Sequence, residues 1–313
     1  MGWSLRRALT RPGWKLEDRH VATVSEWVSG LRPRTLPNSI VPVAVGSALA
    51  FALDGFVWWK ALLALVVSMA LQVGVNFAND YSDGVKGTDT EERTGPTRLT
   101  ASGLAAPERV LAAALGSFAF AGLVGLVLVA TTSWWLLLVG VAAIAAAWYY
   151  TGGRTPYGYR GLGEVSVFVF FGVVAVVGTV FVQLESAPWQ AWVASVPVGL
   201  LSCSVLVINN LRDIPTDTEA GKVTLAVRLG ETGTRRVFAG MIVASFVFAL
   251  ALLPLSWWVP LVLLSAPLAV PPLRRVLGGQ VGRDLVLGLG ETGKLQMAFG
   301  VLFSLALALG SLG

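Results

Sequence analysis

The sequence predicts an all-α polytopic membrane protein, and three observations carry that reading. More than half of the 313 residues (55%) are hydrophobic and the mean hydropathy is +0.71, too apolar for a water-soluble domain. The apolar residues gather at 36–53, 58–78, 107–130, 133–150, 164–184, 189–211, 234–254, 256–276 and 292–312. These nine stretches of about 18–24 residues match the ~20 that a helix needs to cross a bilayer core. Finally, 22 of the 23 lysines and arginines precede the first stretch or lie in alternate connections and the stretch ends that flank them (79–109, 151–163, 212–236 and 274–294), and only Lys60 falls on the other side. Positive-inside bias therefore expects a cytoplasmic N-terminus, cytoplasmic polar loops and an outer C-terminus in a cell-membrane protein. Helices are expected rather than barrel strands, because each helix satisfies its own backbone hydrogen bonds and barrel strands alternate in polarity.

Residues 1–30 are polar and mixed in charge, with Trp3, Trp14 and Trp27 among them. They are expected to form a cytoplasmic segment, either an interfacial amphipathic helix or a loose tail, ahead of a nine-helix domain over 31–313. No apolar run follows the first basic residues to make a cleavable signal. At the start of the first span, Arg32-Pro33-Arg34-Thr35-Leu36-Pro37-Asn38 has prolines fitting a first helical turn, and its bases either anchor topology or face the same cavity as the acids farther on. Cys203 is the one cysteine and His20 the one histidine, which exclude an internal disulfide and histidine-rich metal chemistry. A net charge of +5, spread along loops without an aromatic-studded surface, fits anionic lipid and an anionic substrate, not nucleic acid.

The second span runs into a crowd of charge from Asn76 through Asn79, Asp80, Asp83, Lys86, Asp89, Glu91, Glu92 and Arg93 to Arg98. Asn76, Asp80 and Asp83 fall on one helical face. The sixth span ends in an echo, Asn209, Asn210, Arg212, Asp213, Asp217 and Lys222, with Asn209, Asp213 and Asp217 again in phase. Each cluster follows an even-numbered span, as if a four-helix unit were duplicated and a ninth helix added. Acids at helix C-termini oppose the macrodipole by a few tenths to about 1 kcal/mol each, so their concentration at two such ends calls for another reason. A shared Mg²⁺ site supplies it: carboxylates brought together repel unless a hard cation joins them, commonly with substrate phosphates. Lysine and arginine beside them suit phosphate oxygens. The third polar loop, Tyr149 to Glu164, adds Tyr150, Arg154, Tyr157, Tyr159 and Arg160; its tyrosines read as interface anchors and its arginines as topology or phosphate contacts. Over Lys222–Gly230 a short helix is expected above the same face, and 273–291 shows only basic topology signals.

Asn76-x3-Asp80-x2-Asp83 with Asp213-x3-Asp217, on alternate polar loops, resembles the UbiA superfamily of intramembrane aromatic prenyltransferases over nearly the whole chain after residue 30. Arg32-Pro-Arg34-Thr-Leu-Pro37, Asn79-Asp-Tyr-Ser-Asp83-Gly-Val-Lys86-Gly-Thr-Asp89 and the run from Asn209 to Gly230 are most similar to its menaquinone-pathway branch. Where the wider superfamily often has a third aspartate, this chain has Gly87, with Asp89 two residues later. The resemblance implies transfer of a polyprenyl chain from its diphosphate to 1,4-dihydroxy-2-naphthoate, with loss of CO2. It implies two Mg²⁺ ions on Asp80, Asp83, Asp213 and Asp217, with Asn76 and Asn210 orienting the acids or ligating directly. Diphosphate contacts fall to Lys86, Arg93, Arg98, Arg154, Lys222 and Arg228, with Tyr150 at the substrate, Arg34 or Asn38 on the acceptor carboxylate, and a lipid-facing groove for the tail. A sister acceptor, such as 4-hydroxybenzoate, homogentisate or a sugar phosphate, would keep the same metal residues. A secondary transporter is the non-enzymatic alternative, but transporters place ionisable groups near the midplane, not at the span ends.

Overall fold

The computed structural model describes residues 22–88 and 98–310, and these form a bundle of helices without strands. Asp89, Glu91, Glu92, Arg93, His20, Trp3 and Trp14 lie outside the described residues. The helices are α1 (Val24–Gly30), α2 (Pro37–Ala52), α3 (Trp58–Lys86), α4 (Pro107–Thr131), α5 (Leu136–Tyr149), α6 (Gly163–Leu184), α7 (Trp189–Glu219), α8 (Leu225–Leu252), α9 (Val259–Leu277) and α10 (Arg283–Leu309). Every expected apolar stretch coincides with one helix from α2 to α10. Nine crossings are slightly more than length and composition show: among the described residues, seven helices are long and apolar enough to cross a membrane, or eight if α1 and its following turn, bent by 51° against α2, are counted with it as one span. The exception is α5, whose 14 residues rise only about 21 Å against a ~30 Å hydrocarbon core.

Several helices run past their apolar stretches. α3 continues to Lys86 and α7 to Glu219 through Pro215, so Asp80, Asp83, Asp213 and Asp217 sit on helical turns and not on loops. Gly87 ends α3 in the left-handed region (φ 70°), with its amide reaching back to Gly84. Only glycine adopts that conformation without penalty, a local reason for glycine where a third aspartate was looked for. α8 begins at Leu225, capped by the Thr224 hydroxyl, and breaks at Gly230, which merges the short expected helix with the span after it.

At the centre lies α7, with 72% of its apolar window buried against 22% for α4, which faces outward. α7 packs mainly on α8, α10 and α6, α2 lies between α10 and α6, and α4 packs on α3. The main core joins Val45 and Leu49 of α2, Val198 and Leu201 of α7, and Phe299 and Phe303 of α10. A smaller core surrounds Phe77 and Phe118, and Trp27 of α1 meets the Phe77 ring edge-on at 5.5 Å. The end of the expected N-terminal segment therefore docks on α3, with α1 started by a reciprocal Thr23–Glu26 capping box. Lys60 and Glu185 pair at 3.6 Å where α3 begins and α6 ends, which puts both at the same end of the bundle.

In α6, Phe168–Val174 winds as a π-helix, and there its backbone meets that of α7. A β-carbon on Gly172 would lie 2.7 Å from the Gly199 Cα and 3.1 Å from the Ser195 carbonyl oxygen. Both obstacles are backbone and cannot rotate away. Gly172→Ala is expected to cost about 1–3 kcal/mol, read as a lower thermal unfolding midpoint in detergent. Gly240→Ala, which meets open space, should leave the midpoint unchanged.

Candidate active site

The ends of α3 and α7, the described end of the loop before α4, and the loop between α5 and α6 meet in one polar cluster. The Lys222 Nζ stands 3.5 Å from an Asp83 carboxylate oxygen and 3.9 Å from one of Asp217, linking the acids of α3 and α7. The chain fixes Lys222 locally, since its amide donates to the Asp217 carbonyl at 2.8 Å and the next amide, of Val223, to the Tyr159 carbonyl at 2.8 Å. Tyr159 donates its hydroxyl to Asp83, and the ammonium groups of Lys222 and Lys86 lie 4.7 and 5.0 Å from its ring centroid. Arg98 reaches the other Asp83 oxygen at 3.5 Å, and Lys86 donates to the Thr151 carbonyl. Asp83, Asp217, Lys86, Lys222 and Arg98 therefore lie together, joined by Tyr159, which was read only as an interface anchor. Its position three residues after an X-Pro turn, facing two lysines, is a signal that composition does not carry.

The other expected residues are distributed differently. Asp80, 1% exposed, accepts the amides of Leu99 (2.8 Å) and Thr100 (2.9 Å) and thereby pins the loop before α4. Asp213 takes both Nε and Nη2 of its neighbour Arg212 at 2.7 Å. Asn76 turns toward α1, donating to the Leu31 carbonyl at 2.8 Å, and Asn210 donates to Glu164 at 3.0 Å. Arg228 donates to the Arg160 carbonyl at 2.9 Å, which holds the 157–160 turn against α8, and Arg154 is exposed on the loop. Arg93 lies outside the described residues. Among the described residues no three acidic, histidine or cysteine side chains converge on one point. The acids nevertheless suit Mg²⁺: they offer only oxygen, an ionised carboxylate has lone pairs beyond those its amides use, and the Lys222 ammonium already stands as a cation between two of them.

A cavity of about 630 Å³ adjoins this cluster, with a polar end and a long apolar body. Arg34, Asn38, Gln72, Asn79, Arg98, Tyr150, Asn209 and Arg212 line the polar end. Asn38 is buried with its side-chain carbonyl unpartnered, and Arg34 is exposed at the mouth. In the body, Ser166, Phe170, Val174, Gly178 and Val182 of α6 recur at every fourth position, opposite Val67 and Leu71 of α3 and Leu136 and Ala143 of α5. The cavity is tied off at both ends of the α5–α6 seam. Tyr157 hydrogen-bonds the Ala146 carbonyl and the Ser166 hydroxyl, both at 2.8 Å, and Trp135 meets Phe181 edge-on at 4.8 Å. Burial pushes the Tyr157 hydroxyl above the ordinary phenol range, partly offset by Ser166, so it stays protonated at neutral pH.

An acid-and-base cluster beside an apolar cavity, joined to it through Arg98, defines a class of protein that handles a polar, anionic head joined to a long apolar chain. The chain belongs to the UbiA prenyltransferase family, which residues 39–279 match. It is 50% identical over 292 residues to the 1,4-dihydroxy-2-naphthoate octaprenyltransferase of Mycobacterium tuberculosis, covering 93% of this chain and 100% of that one. The Escherichia coli protein of the same description is 40% identical over 84% of this chain and 88% of its own length. Among solved structures, the UbiA homolog of Aeropyrum pernix K1 aligns with TM-score 0.64 at 17% identity, covering 84% of this chain and 96% of that one. A UbiA homolog of Archaeoglobus fulgidus bound to DMAPP and Mg²⁺ aligns with TM-score 0.62 at 13% identity, covering 91% and 99%. At those identities the likeness is one of fold.

Asp80 is set apart from Asp83 by its two amide partners. Asp80→Ala is expected to cost about 1–3 kcal/mol by stranding both donors, and hydrogen exchange at Leu99 and Thr100 should accelerate. In Asp83→Ala those two amides should remain protected.

Proposed function

We propose that this membrane enzyme transfers a polyprenyl chain from its diphosphate to 1,4-dihydroxy-2-naphthoate, with loss of CO2, on the way to menaquinone. The observation that carries this reading is the cluster of Asp83, Asp217 and Lys222 joined to the apolar cavity through Arg98, which pairs with Asp83 and lines the cavity. The acceptor is supported by the relatives at 50 and 40% identity, whose descriptions name that naphthoate.

Lys86, Lys222 and Arg98 bind the diphosphate by charge-assisted hydrogen bonds, which strengthen as negative charge grows on the leaving group. Asp83 and Asp217 would hold Mg²⁺, and Asp80 and Asp213 would complete a set for two ions. When bound, Mg²⁺ supplies concentrated positive charge that favours departure of diphosphate from the allylic carbon. The cavity body keeps the prenyl chain out of water, and the edge-to-face rings of Tyr150 and Tyr157 (5.6 Å) stand near its polar end, where an aromatic face stabilises positive charge. Arg34 at the mouth receives the acceptor carboxylate. The clusters face the cytoplasm of a cell-membrane protein, a reading supported by the bias of lysine and arginine toward their side.

Purified protein given carboxyl-labelled 1,4-dihydroxy-2-naphthoate should release labelled CO2 only when both Mg²⁺ and a long-chain prenyl diphosphate are present. No release from a preparation that prenylates another aromatic would move the enzyme to a sister acceptor. Lys222→Gln is expected to raise the KM for prenyl diphosphate roughly tenfold, with the KM for the naphthoate unchanged.

A further inference from the structure

Gln72 has no part in the chemistry above, yet it is 4% exposed, lines the cavity and sits in the middle of α3. A polar side chain at such depth is expensive unless it serves a structure or a ligand. Its amide orientation follows from two backbone carbonyls, which can only accept. The Thr35 hydroxyl donates to the Arg32 carbonyl at 2.9 Å, so towards other groups it accepts. Asn76 Nδ2 donates to the Leu31 carbonyl at 2.8 Å and to that Thr35 oxygen at 3.3 Å, which turns Asn76 Oδ1 toward Gln72. Gln72 Nε2 then donates to Asn76 Oδ1 at 3.2 Å and to Thr35 at 3.4 Å. Reversing the Gln72 amide would set oxygen against oxygen at both contacts. The polarity of the network leaves Gln72 Oε1 as a buried acceptor with no partner.

Two other buried glutamines show what is particular here. Gln183 spends its oxygen on the Val57 amide and its nitrogen on the Thr179 carbonyl and Ser47, a purely structural use. Gln296 also has an unpartnered oxygen, but it lies in the packed core and not on the cavity wall. Gln72 alone among the three combines an unsatisfied acceptor with a place on the cavity wall. A buried acceptor without a partner costs about 1–3 kcal/mol. Oε1 is covered although its residue lines the cavity, so an occupant that brings an O–H or N–H donor removes that cost once the Gln72 side chain shifts slightly toward the cavity. In 1,4-dihydroxy-2-naphthoate the 1-hydroxyl lies beside the carboxylate and hydrogen-bonds to it internally. The 4-hydroxyl has no such neighbour and remains a free donor.

We propose that Gln72 is the residue that recognises the acceptor's 4-hydroxyl, by accepting its hydrogen bond at Oε1, and so selects hydroquinone-type aromatic acids over those with a single hydroxyl. The inference rests on the naphthoate reading above. It also gives the Leu31–Asn76–Thr35 network a role, which is to hold the Gln72 amide in the accepting orientation.

The test compares 1,4-dihydroxy-2-naphthoate with its 4-methyl ether and with 1-hydroxy-2-naphthoate. Dissociation constants are measured on the full chain in detergent without prenyl donor, under anaerobic conditions, and kcat/KM is measured with donor and Mg²⁺. Wild type should prefer the diol by about tenfold or more in both measurements. Gln72→Leu and the closer isostere Gln72→Met should bring the ratio towards one, with the KM for prenyl diphosphate unchanged. A structural role alone would weaken all three acceptors alike and leave the ratio intact, which overturns the proposal. So does a wild type that fails to distinguish the diol from its 4-methyl ether, a result independent of how either variant folds. If wild type turns over none of the three while prenylating another aromatic, the naphthoate reading has failed instead, and the proposal falls with it.

Discussion

One ammonium group between two carboxylates is the contact on which the polar end of this bundle depends. Lys222 joins Asp83 on α3 to Asp217 on α7, and all three side chains are largely withdrawn from water. Charges so placed are tolerated only when paired, and neither acid has a second lysine as near. The arrangement also orders its surroundings. Tyr159 is held over Asp83 between two lysines, its carbonyl receives the amide after Lys222, and the turn that carries it is held again by Arg228. A loop between α5 and α6 thus becomes part of the same end as two helices far from it in sequence.

In the function proposed above that end would receive an anion, and its own acids meanwhile balance its bases. Lys222 and Arg98 are engaged by carboxylates and Lys86 by the Thr151 carbonyl, and in the proposed function an arriving diphosphate would compete for the same donors. Mg²⁺ arriving with it would take over the acids that Lys222 releases, which would keep the charge balanced. This exchange is a physical reason for mixing acids and bases in one place instead of building a purely basic pocket.

Much of this was legible in the residues. Bilayer thickness dictates stretches of a set length, and each stretch found its helix. Hydropathy alone did not show where those helices stop, because its pattern ends at the membrane boundary while backbone hydrogen bonding does not; the helical phase of Asn76, Asp80 and Asp83, and of Asn209, Asp213 and Asp217, did point past it. α3 and α7 carry their aspartates on extra turns that a hydropathy reading assigns to loops. The partners of individual acids were also hidden. Asp80 and Asp83 look alike in sequence, yet one is taken by loop amides and the other by Tyr159, Arg98 and Lys222, a distinction made by segments far apart in the chain. Gln72 escaped notice because attention to charge passes over a neutral amide, although its depth in an apolar stretch was visible from the start.

The π-helical stretch in α6 acts as a phase corrector. An α-helix turns about 100° per residue, so the four steps from Ser166 to Val182 would overshoot by roughly 160° and send the last residues to the opposite side. A π-turn takes roughly 4.4 residues, and the segment Phe168–Val174 returns most of that excess. Ser166, Phe170, Val174, Gly178 and Val182 consequently stay in one column on the cavity wall. The phase of the greasy channel is therefore set by a local change in helical pitch: winding the same seven residues as regular α-helix would rotate the outer half by about 130° and cut the column in two, whereas regularising the helix with one residue deleted would leave its two halves nearly in phase.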